Sequence, residues 1–517
     1  MAVKLIMLIF FFAVMVGVGL YCRRHSTDVN GFVLGGRSVG PWLTAFAYGT
    51  SYFSAVIFIG YAGQFGWKFG IASTWIGLGN AFLGSLLAWV VLGRRTRLMT
   101  QRLKSATMPE FFGERYLSKG LKIGASVIVF VFLIPYTASL YNGLSRLFAM
   151  AFHVDYAWCI VIMAVLTGIY VIAGGYMATA INDFIQGIIM LAGIVAVIAA
   201  VLMQHGGFMG SLEGLAAVSD PEVSTMPGAF ASFFGPNPMD LLRVVILTSL
   251  GTWGLPQMVQ KFYAIKSEKA IAKGTVISTI FAIIVAGGCY FLGGFGRLFS
   301  DRINIAANGY DSIIPVMLEG LPDILMGVVV VLVLSASMST LSSLVLASGS
   351  TLTLDFIKGN ICKKMSEKTQ LLVLRILIVV FILISVVIAL VQYNSNVTFI
   401  AQLMGISWGA LAGAFLAPFL YGLYSKRATK ASAWASFIFG AGIMIFNMFF
   451  KAYLPGFMQS PIDCGVVAML AGLVIVPVVS LFTKKPDKAF VDGIFDCYEK
   501  KVFVPAREAL GDDEEEK

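Results

Sequence analysis

The chain has 517 residues, of which 58% are hydrophobic and only 12% are charged. Its mean hydropathy of +0.86 is too high for a soluble globule and predicts a protein that crosses the membrane many times. The formal net charge of +10 does not indicate a nucleic-acid partner, because the basic residues fall in short loops between apolar runs. The six cysteines are scattered, so neither a disulfide framework nor a zinc or other transition-metal site is expected.

Windows long enough to cross about 30 Å of hydrocarbon predict thirteen spanning helices. They are approximately 3–21, 41–65, 70–92, 121–150, 156–174, 178–204, 239–257, 274–296, 322–350, 369–392, 397–423, 431–450 and 462–483. The first segment is predicted to be retained, because no Ala-x-Ala or lipoprotein cleavage pattern follows it. The sequence therefore predicts an all-α polytopic membrane protein.

The positions of lysine and arginine predict how the chain is oriented. One set of alternate loops is rich in basic residues, from Arg23 to Lys430, and we count Lys261 among these loop residues. The opposite loops hold only four, which are Lys68, Arg297, Arg302 and Lys451. Because basic loops stay in the cytoplasm, we expect the N-terminus outside the plasma membrane and the acidic tail, Asp512–Glu516, inside.

Two predicted spans are interrupted in corresponding places. Segment 41–65 breaks its apolar run at Gly49-Thr50-Ser51, and segment 239–257 breaks over 248–252 and again at Gly254-Leu255-Pro256. Glycine and proline are common in membrane helices, so one break alone decides nothing. Two breaks five spans apart, in spans of opposite orientation, are typical of secondary transporters built from inverted repeats.

The segment 322–350 carries the run Ser335-Ala336-Ser337-Met338-Ser339-Thr340-Leu341-Ser342-Ser343. Hydroxyls on such a helix, together with carbonyls freed at a helix break, could replace the hydration shell of a sodium ion. Asp183, an acidic residue inside the predicted span 178–204, would neutralise the ion. The alternative is that these hydroxyls bond to their own preceding turn or let helices pack closely.

Three motifs together resemble the sodium:solute symporter family, which includes bacterial proline, sialic acid and glucose-type cotransporters. They are Leu34–Pro41, Gly174-Gly175 followed by Asn182-Asp183 and Gln186, and Ser339-Thr340-Leu341-Ser342. The resemblance implies a LeuT-like five-plus-five inverted repeat with peripheral helices. The implied division is a peripheral helix and loop (1–40), a first repeat (41–204), an outer loop (205–238), a second repeat (239–423), peripheral helices (424–483) and a cytoplasmic tail (484–517).

The resemblance also implies sodium-binding residues. The common sodium site of the family would use the residues that match its ligands here, namely Thr50, Phe53, Ala336, Ser339 and Thr340. A second site, found in some members, would use Asp183, Ser339, Ser342 and Ser343. Whether one or two sodium ions are coupled, and whether a proton can replace sodium at Asp183, stays open at this point.

We expect the substrate cavity at the helix breaks, lined by Ser51, Ser54, Tyr136, Thr252, Trp253 and Gln257. Thr74 and Ile57 stand where sugar-transporting members carry polar groups, which favours an amino acid or small carboxylate. The alternatives are a sialic acid or sugar symporter and a symporter-like sensor. No HExxH motif and no paired carboxylates occur in the predicted spans, so an enzyme is not expected. The expected partners are the solute, Na⁺ as coupling ion and the lipid bilayer, without a cofactor or nucleic acid.

Overall fold

The computed structural model describes residues 2–23, 28–152, 154–362, 364–395 and 400–499. The predicted acidic tail lies outside the described residues. Within them the chain is almost wholly helical, and ten helices are long and apolar enough to cross a membrane. The predicted all-α polytopic class is confirmed. The count of thirteen stays a prediction, because each broken helix divides one expected span and a single run, Val56–Arg102, joins the end of the first divided span to the next expected span, 70–92.

The described residues of the first half of the chain form ten α-helices. They are α1 Ala2–Cys22, α2 Val29–Leu34, α3 Pro41–Tyr52, α4 Ala62–Phe69, α5 Thr74–Gly79, α6 Arg94–Arg102, α7 Met108–Arg115, α8 Lys119–Phe152, α9 Tyr156–Met203 and α10 Gly207–Ala217. Wide π-helical turns lead into α4 and join α5 to α6. The predicted spans 156–174 and 178–204 are both contained in α9, which kinks at Gly175, where φ is 56°. A β-carbon there would lie 2.8 Å from the carbonyl oxygen of Phe32.

In the second half, the residues that the structure describes form twelve more α-helices. They are α11 Pro238–Leu250, α12 Pro256–Ala264, α13 Glu268–Ala282, α14 Gly288–Gly293, α15 Ile305–Asn308, α16 Ile313–Leu318, α17 Asp323–Ser350, α18 Glu367–Ser395, α19 Ile400–Tyr424, α20 Lys430–Phe450, α21 Pro461–Phe482 and α22 Lys488–Phe495. α17 packs against α8, α9 and α3, so its hydroxyl-rich stretch lies in the middle of the bundle. α1 packs on α9 and α17 from outside, and α20 and α21 pack on α19.

The first helix break lies slightly later than the sequence predicted. Gly49, Thr50 and Ser51 remain helical, and α3 ends at Tyr52, after which Phe53 is extended with φ −86° and ψ 120°. The predicted position was wrong because Gly49 serves a different purpose. A β-carbon at Gly49 would lie only 2.4 Å from Cδ1 of Phe281, so the glycine lets α13 approach α3 closely.

The second break confirms the predicted Gly254-Leu255-Pro256 interruption. α11 ends at Leu250, a 3₁₀ turn follows over Gly251–Gly254, and Leu255 is extended with φ −85° and ψ 121°. Pro256 then opens α12 at a first-turn position, where its missing N–H costs no helical hydrogen bond. The two broken helices are therefore related in opposite order along the chain: α3 is the half before the first break, and α12, which corresponds to it, is the half after the second.

The start of α3 is tied to the end of α12 by main-chain hydrogen bonds. The N–H of Val39 donates to the carbonyl of Ala264 over 3.2 Å, and the N–H of Lys266 donates back to Val39 over 3.0 Å. The guanidinium of Arg37 reinforces this junction by donating to the carbonyls of Tyr263, over 3.2 Å, and Ser105, over 2.5 Å. On the predicted topology, this junction closes the cytoplasmic side.

Candidate functional site

The hydroxyl of Thr340 points into the first helix break. Its Oγ1 lies 3.2 Å from the carbonyl oxygen of Thr50, 3.4 Å from those of Ser51 and Phe53, and 3.1 Å from that of Ala336. The carbonyls of α3 are available because the extended conformation of Phe53 ends the helical ladder that would otherwise use them. A hydroxyl has one proton to donate, so four carbonyls around it leave acceptors in excess.

Ser339 adds a second hydroxyl to the same cluster. Its Oγ lies 3.1 Å from the carbonyl oxygen of Thr50 and 3.0 Å from that of Ala336. A hard cation bound at about 2.4 Å holds neighbouring oxygen ligands about 3.4 Å apart, which is close to the spacing found here. The structure thus brings together all five residues expected to form the first sodium site. That these oxygens bind sodium stays a prediction.

The residues expected to form a second sodium site are brought only partly together. Asp183 is fully buried on α9, and its Oδ2 lies 3.7 Å from the Nζ of Lys261. The ammonium of Lys261 also donates to the Oγ of Ser343 over 3.0 Å. Ser339 faces the first site instead, and the hydroxyl of Ser342 donates to the carbonyl of Ser339 over 2.9 Å. Asp183 and Ser343 therefore meet around an ammonium group.

Lys261 corrects the sequence analysis, which placed it in a basic loop. It lies within α12, and its side chain is only 2% exposed. The sequence did contain a signal: Pro256 restarts the broken helix, so a lysine soon after it belongs to the inner half of that helix. Its neighbours Lys266 and Lys269 are exposed, as a loop assignment requires.

Three of the expected substrate residues present unpaired polar groups at the breaks. Ser54 follows the end of α3, Gln257 lies in the first turn of α12, and Tyr136 lies on α8. All three are buried, and among the described residues their side-chain polar atoms have no hydrogen-bond partner. A buried polar group without a partner costs about 1–3 kcal/mol, so such a group indicates where a polar ligand would bind.

Two aromatic residues that the sequence analysis did not select belong to the same region. The Trp408 ring, on α19, lies 5.8 Å from that of Tyr52 and 6.0 Å from that of Tyr136. The indole N–H of Trp408 and the hydroxyl of Tyr52 are also buried without partners in the described structure. Trp408 reaches the second break as well, since a β-carbon on Gly251 would lie 2.9 Å from it. A tryptophan among small residues, between Gly405 and Gly409, was the available signal.

The other three expected substrate residues are engaged elsewhere. The hydroxyl of Thr252 donates to the carbonyl of Gly84 over 3.1 Å, and the indole N–H of Trp253 donates to Leu83 over 3.0 Å. These two side chains attach the second break to the π-helical stretch between α5 and α6. The Ser51 hydroxyl shares a 2.8 Å hydrogen bond with that of Ser343, which directs it toward Lys261.

Beyond the breaks, on the opposite side from Arg37, a buried carboxyl connects α8 to α19. Asp311 accepts a hydrogen bond from the N–H of Ile400 over 3.4 Å and lies 3.9 Å from the guanidinium of Arg146. Burial raises the pKa of Asp311 above its usual value, while Arg146 and the Ile400 N–H act in the opposite direction. Arg146 is thus paired at the end of α8, away from the helix breaks.

The family model of the sodium:solute symporter family matches residues 32–440. The chain belongs to this family. It is 30% identical over 510 residues to a sodium/proline symporter of Staphylococcus aureus (strain JH9), with 94% of each chain covered. The same figures hold for the sodium/proline symporter of strain JH1. Members of the family are transporters and not enzymes, so this symporter is a multi-pass protein of the plasma membrane with sodium as coupling ion.

Solved structures show which fold the symporter has. A Na⁺-coupled sialic acid symporter in its substrate-bound outward-open state superposes with a TM-score of 0.73 at 16% identity, covering 94% of this chain and 99% of that one. The inward-facing conformation of Mhp1 superposes with a TM-score of 0.50 at 15% identity, covering 88% and 94%. These similarities confirm the LeuT-like fold implied by the sequence motifs.

Proposed function

We propose that this symporter imports a small amino acid or carboxylate together with sodium by alternating access. The observation that carries the proposal is the oxygen cluster at the first helix break, where the hydroxyls of Ser339 and Thr340 face the released carbonyls of Thr50 and Phe53. The similarity to sodium/proline symporters over nearly the whole chain supports an amino acid as the solute.

Sodium binding at this cluster would couple to solute binding through the shape of the break. A cation between Thr340 and the carbonyls of Thr50 and Phe53 offsets the repulsion between those carbonyl dipoles and holds α3 against α17. Ser54 directly follows the coordinating Phe53, so the same event fixes a residue of the solute cavity. By linkage, the solute must then strengthen sodium binding to the same degree.

The chemistry around the breaks favours a small zwitterion or anion. A helical half begins just after each break, at Ala55 and at Pro256, and the N-terminal ends of helices attract negative charge. The rings of Tyr52, Tyr136 and Trp408 lie close together in this region and give it a largely aromatic wall. A carboxylate near the helix ends and an apolar body against the rings fit this arrangement.

The membrane potential would add to the driving force. Each positive charge moved inward at 100 mV contributes about 2.3 kcal/mol, which corresponds to roughly fiftyfold accumulation of a solute carried with one sodium ion. On the predicted orientation, with the N-terminus outside, the junction of Arg37 and Tyr263 would close the cytoplasmic path during sodium and solute entry.

Uptake by the purified full-length chain in proteoliposomes tests the proposal. Radiolabelled amino acids, carboxylates and sugars are offered under an inward sodium gradient or an equal potassium gradient. We expect accumulation of an amino acid or carboxylate only with sodium, and its loss in a Ser339→Ala/Thr340→Ala variant. Accumulation of a sugar alone would contradict the solute class. No accumulation of any solute would contradict symport and support the sensor alternative.

A further inference from the structure

Lys261 and Asp183 form an ion pair inside the bundle. Their side chains are 2% and 0% exposed, so neither charge is compensated by water. Lone charges in such surroundings are strongly disfavoured, and ionisable residues inside membrane helices usually pair with each other or mark an ion path. The two residues come from different helices, Asp183 from α9 and Lys261 from α12, which belong to the first and the second of the two expected repeats.

The surroundings of the Lys261 ammonium are those of a bound cation. Its Nζ lies 3.7 Å from the Asp183 carboxylate, 3.0 Å from the Ser343 hydroxyl and 5.2 Å from the centre of the Tyr176 ring. A carboxylate, a hydroxyl oxygen and the negative face of an aromatic ring each attract positive charge. Two of these three contacts, Asp183 and Ser343, are residues that a second sodium ion would need.

We propose that the ammonium of Lys261 is a fixed cation that takes the place of a second sodium ion beside Asp183, so that one sodium ion accompanies each solute molecule. This inference rests on the proposed sodium-coupled transport. The sequence alone left the number of sodium ions open. The inference makes that number depend on Lys261, a residue that neither expected set of sodium ligands contains.

The charge balance favours one cation at this place. Asp183 brings one negative charge, and Lys261 already neutralises it. The ammonium would repel a sodium ion that binds about 4 Å away. At an effective dielectric constant of about 20, this repulsion weakens sodium binding by roughly a thousandfold. The two carboxylate oxygens accept no hydrogen bond among the described residues, so no neighbouring donor competes with the ammonium for them.

Lys261 is also connected to the first sodium site. Its ammonium donates to Ser343, whose hydroxyl shares a 2.8 Å hydrogen bond with that of Ser51. Ser51 lies in the last turn of α3, two residues before Phe53, and its carbonyl oxygen lies 3.4 Å from the hydroxyl of Thr340. The fixed cation thus holds α9, α12 and α17 together beside the break. The ammonium can hold these helices together as a second sodium ion would. Unlike such an ion, it does not leave the protein during the transport cycle.

Equilibrium binding of ²²Na⁺ to the purified full-length chain tests the inference. The wild type should bind one ion per chain with a Hill coefficient near one. Lys261→Ala frees the carboxylate, and we expect it to bind two ions with a Hill coefficient approaching two. Lys261→Ala/Asp183→Asn removes both charges and should return the count to one. Lys269→Ala, at an exposed lysine of α13, is the matched control and should bind like the wild type.

The outcomes separate the two proposals. Two ions bound to the wild type would overturn the fixed cation but leave sodium coupling intact, whereas no sodium bound to the wild type would overturn both. A folded Lys261→Ala variant that still binds a single ion would also overturn it. If that variant does not fold, the comparison of the wild type with Asp183→Asn remains decisive. Both should bind one ion, and a drop from two ions to one would contradict the inference.

Discussion

The hydroxyl oxygen of Thr340 on α17 lies 3.4 Å from the carbonyl oxygen of Phe53, the residue at which α3 stops being helical. The contact joins the fully buried α17 stretch to the first helix break, although the two residues are far apart in the chain. The hydroxyl can satisfy only one of the carbonyls that it reaches. The arrangement therefore gains most from a cation that several oxygens can share.

Thr340→Ala removes one of the two hydroxyls of this oxygen cluster. We expect the sodium concentration for half-maximal uptake to rise at least tenfold, because a buried carbonyl set loses a ligand and keeps its mutual repulsion. Uptake at graded sodium concentrations in proteoliposomes measures the change. The matched control is Ser337→Ala on the same helix, since its hydroxyl donates to the carbonyl of Val333 over 2.8 Å and faces its own preceding turn. Equal sodium dependence in both variants would contradict the assignment.

Ser54→Ala and Gln257→Ala remove unpaired polar groups beside the two breaks. For each we expect the KM for the solute to rise about tenfold, the value of one hydrogen bond of about 1.4 kcal/mol, with little change in the sodium dependence at saturating solute. Thr252→Val provides the comparison, because that hydroxyl already lies within hydrogen-bond distance of the carbonyl oxygens of Gly84 and Ser249. It should lower thermal stability without raising KM. A larger KM effect for Thr252→Val than for Ser54→Ala and Gln257→Ala would contradict the choice of these two residues as solute contacts.

Gly49→Ala would place a β-carbon within 2.4 Å of the Phe281 ring. We expect one of two effects. Either the free energy of unfolding falls by about 1–3 kcal/mol, or α3 moves away from α13 and so relieves the overlap. The thermal midpoint in detergent and the uptake rate report the two effects. Adding Phe281→Leu should recover most of the loss by making room for the methyl group. Failure of the second substitution to rescue would contradict the clash with the Phe281 ring as the cause of the loss.

Arg37→Gln weakens the junction between the entry to α3 and the end of α12, because the amide cannot replace the hydrogen bonds to Tyr263 and Ser105 together. We expect a shift toward the inward-open state. A cysteine introduced at Ser54, in a background where the exposed Cys362 is serine, should then react faster with an impermeant thiol reagent added from the cytoplasmic side. Unchanged reactivity would show that Arg37 does not control this path.

Asp311 predicts a pH dependence of stability. Burial raises its pKa above the usual 3.8, so the native state holds this proton more tightly than the unfolded chain does. The contribution of the group is therefore complete below that value and is lost as the pH rises through the raised pKa. Asp311→Asn should flatten this part of the pH profile of the thermal midpoint, while Asp301→Asn, at an exposed carboxylate, should not. The same profile for the wild type and Asp311→Asn would contradict the expectation.

The sequence was sufficient for the fold class and for choosing five residues that the structure brings together at the first break, although their binding of sodium stays a prediction. Long apolar runs predict membrane helices. The motif around Ser339 and Thr340 matches a known family closely enough to name the carbonyl groups on another helix that lie beside them. The exact break in α3 was not predictable in the same way. Phe53 and Ser54 have no unusual backbone preference, so the break depends on contacts with α17 that the local sequence does not contain.

The surroundings of Asp183 were the least predictable part. A lysine in a stretch with several other lysines reads as a loop residue, and only the position of Pro256 at the start of α12 places Lys261 inside the bundle. The substrate region shows the same limitation. Thr252 and Ser54 are both hydroxyl residues at a break, but only three-dimensional packing decides that Thr252 bonds to Gly84 and that Ser54 has no hydrogen-bond partner among the described residues.

The bridge between Val39 and the end of α12 consists of main-chain groups alone. Ordinary side-chain replacement at Val39, Ala264 or Lys266 leaves these donors and acceptors in place, and of the single substitutions only proline would delete an N–H. Substitutions at these three positions can thus accumulate while the entry to α3 stays hydrogen-bonded to the end of α12. Related transporters could therefore differ in the side chains that select solute and ion and still keep this attachment, because only main-chain groups form it.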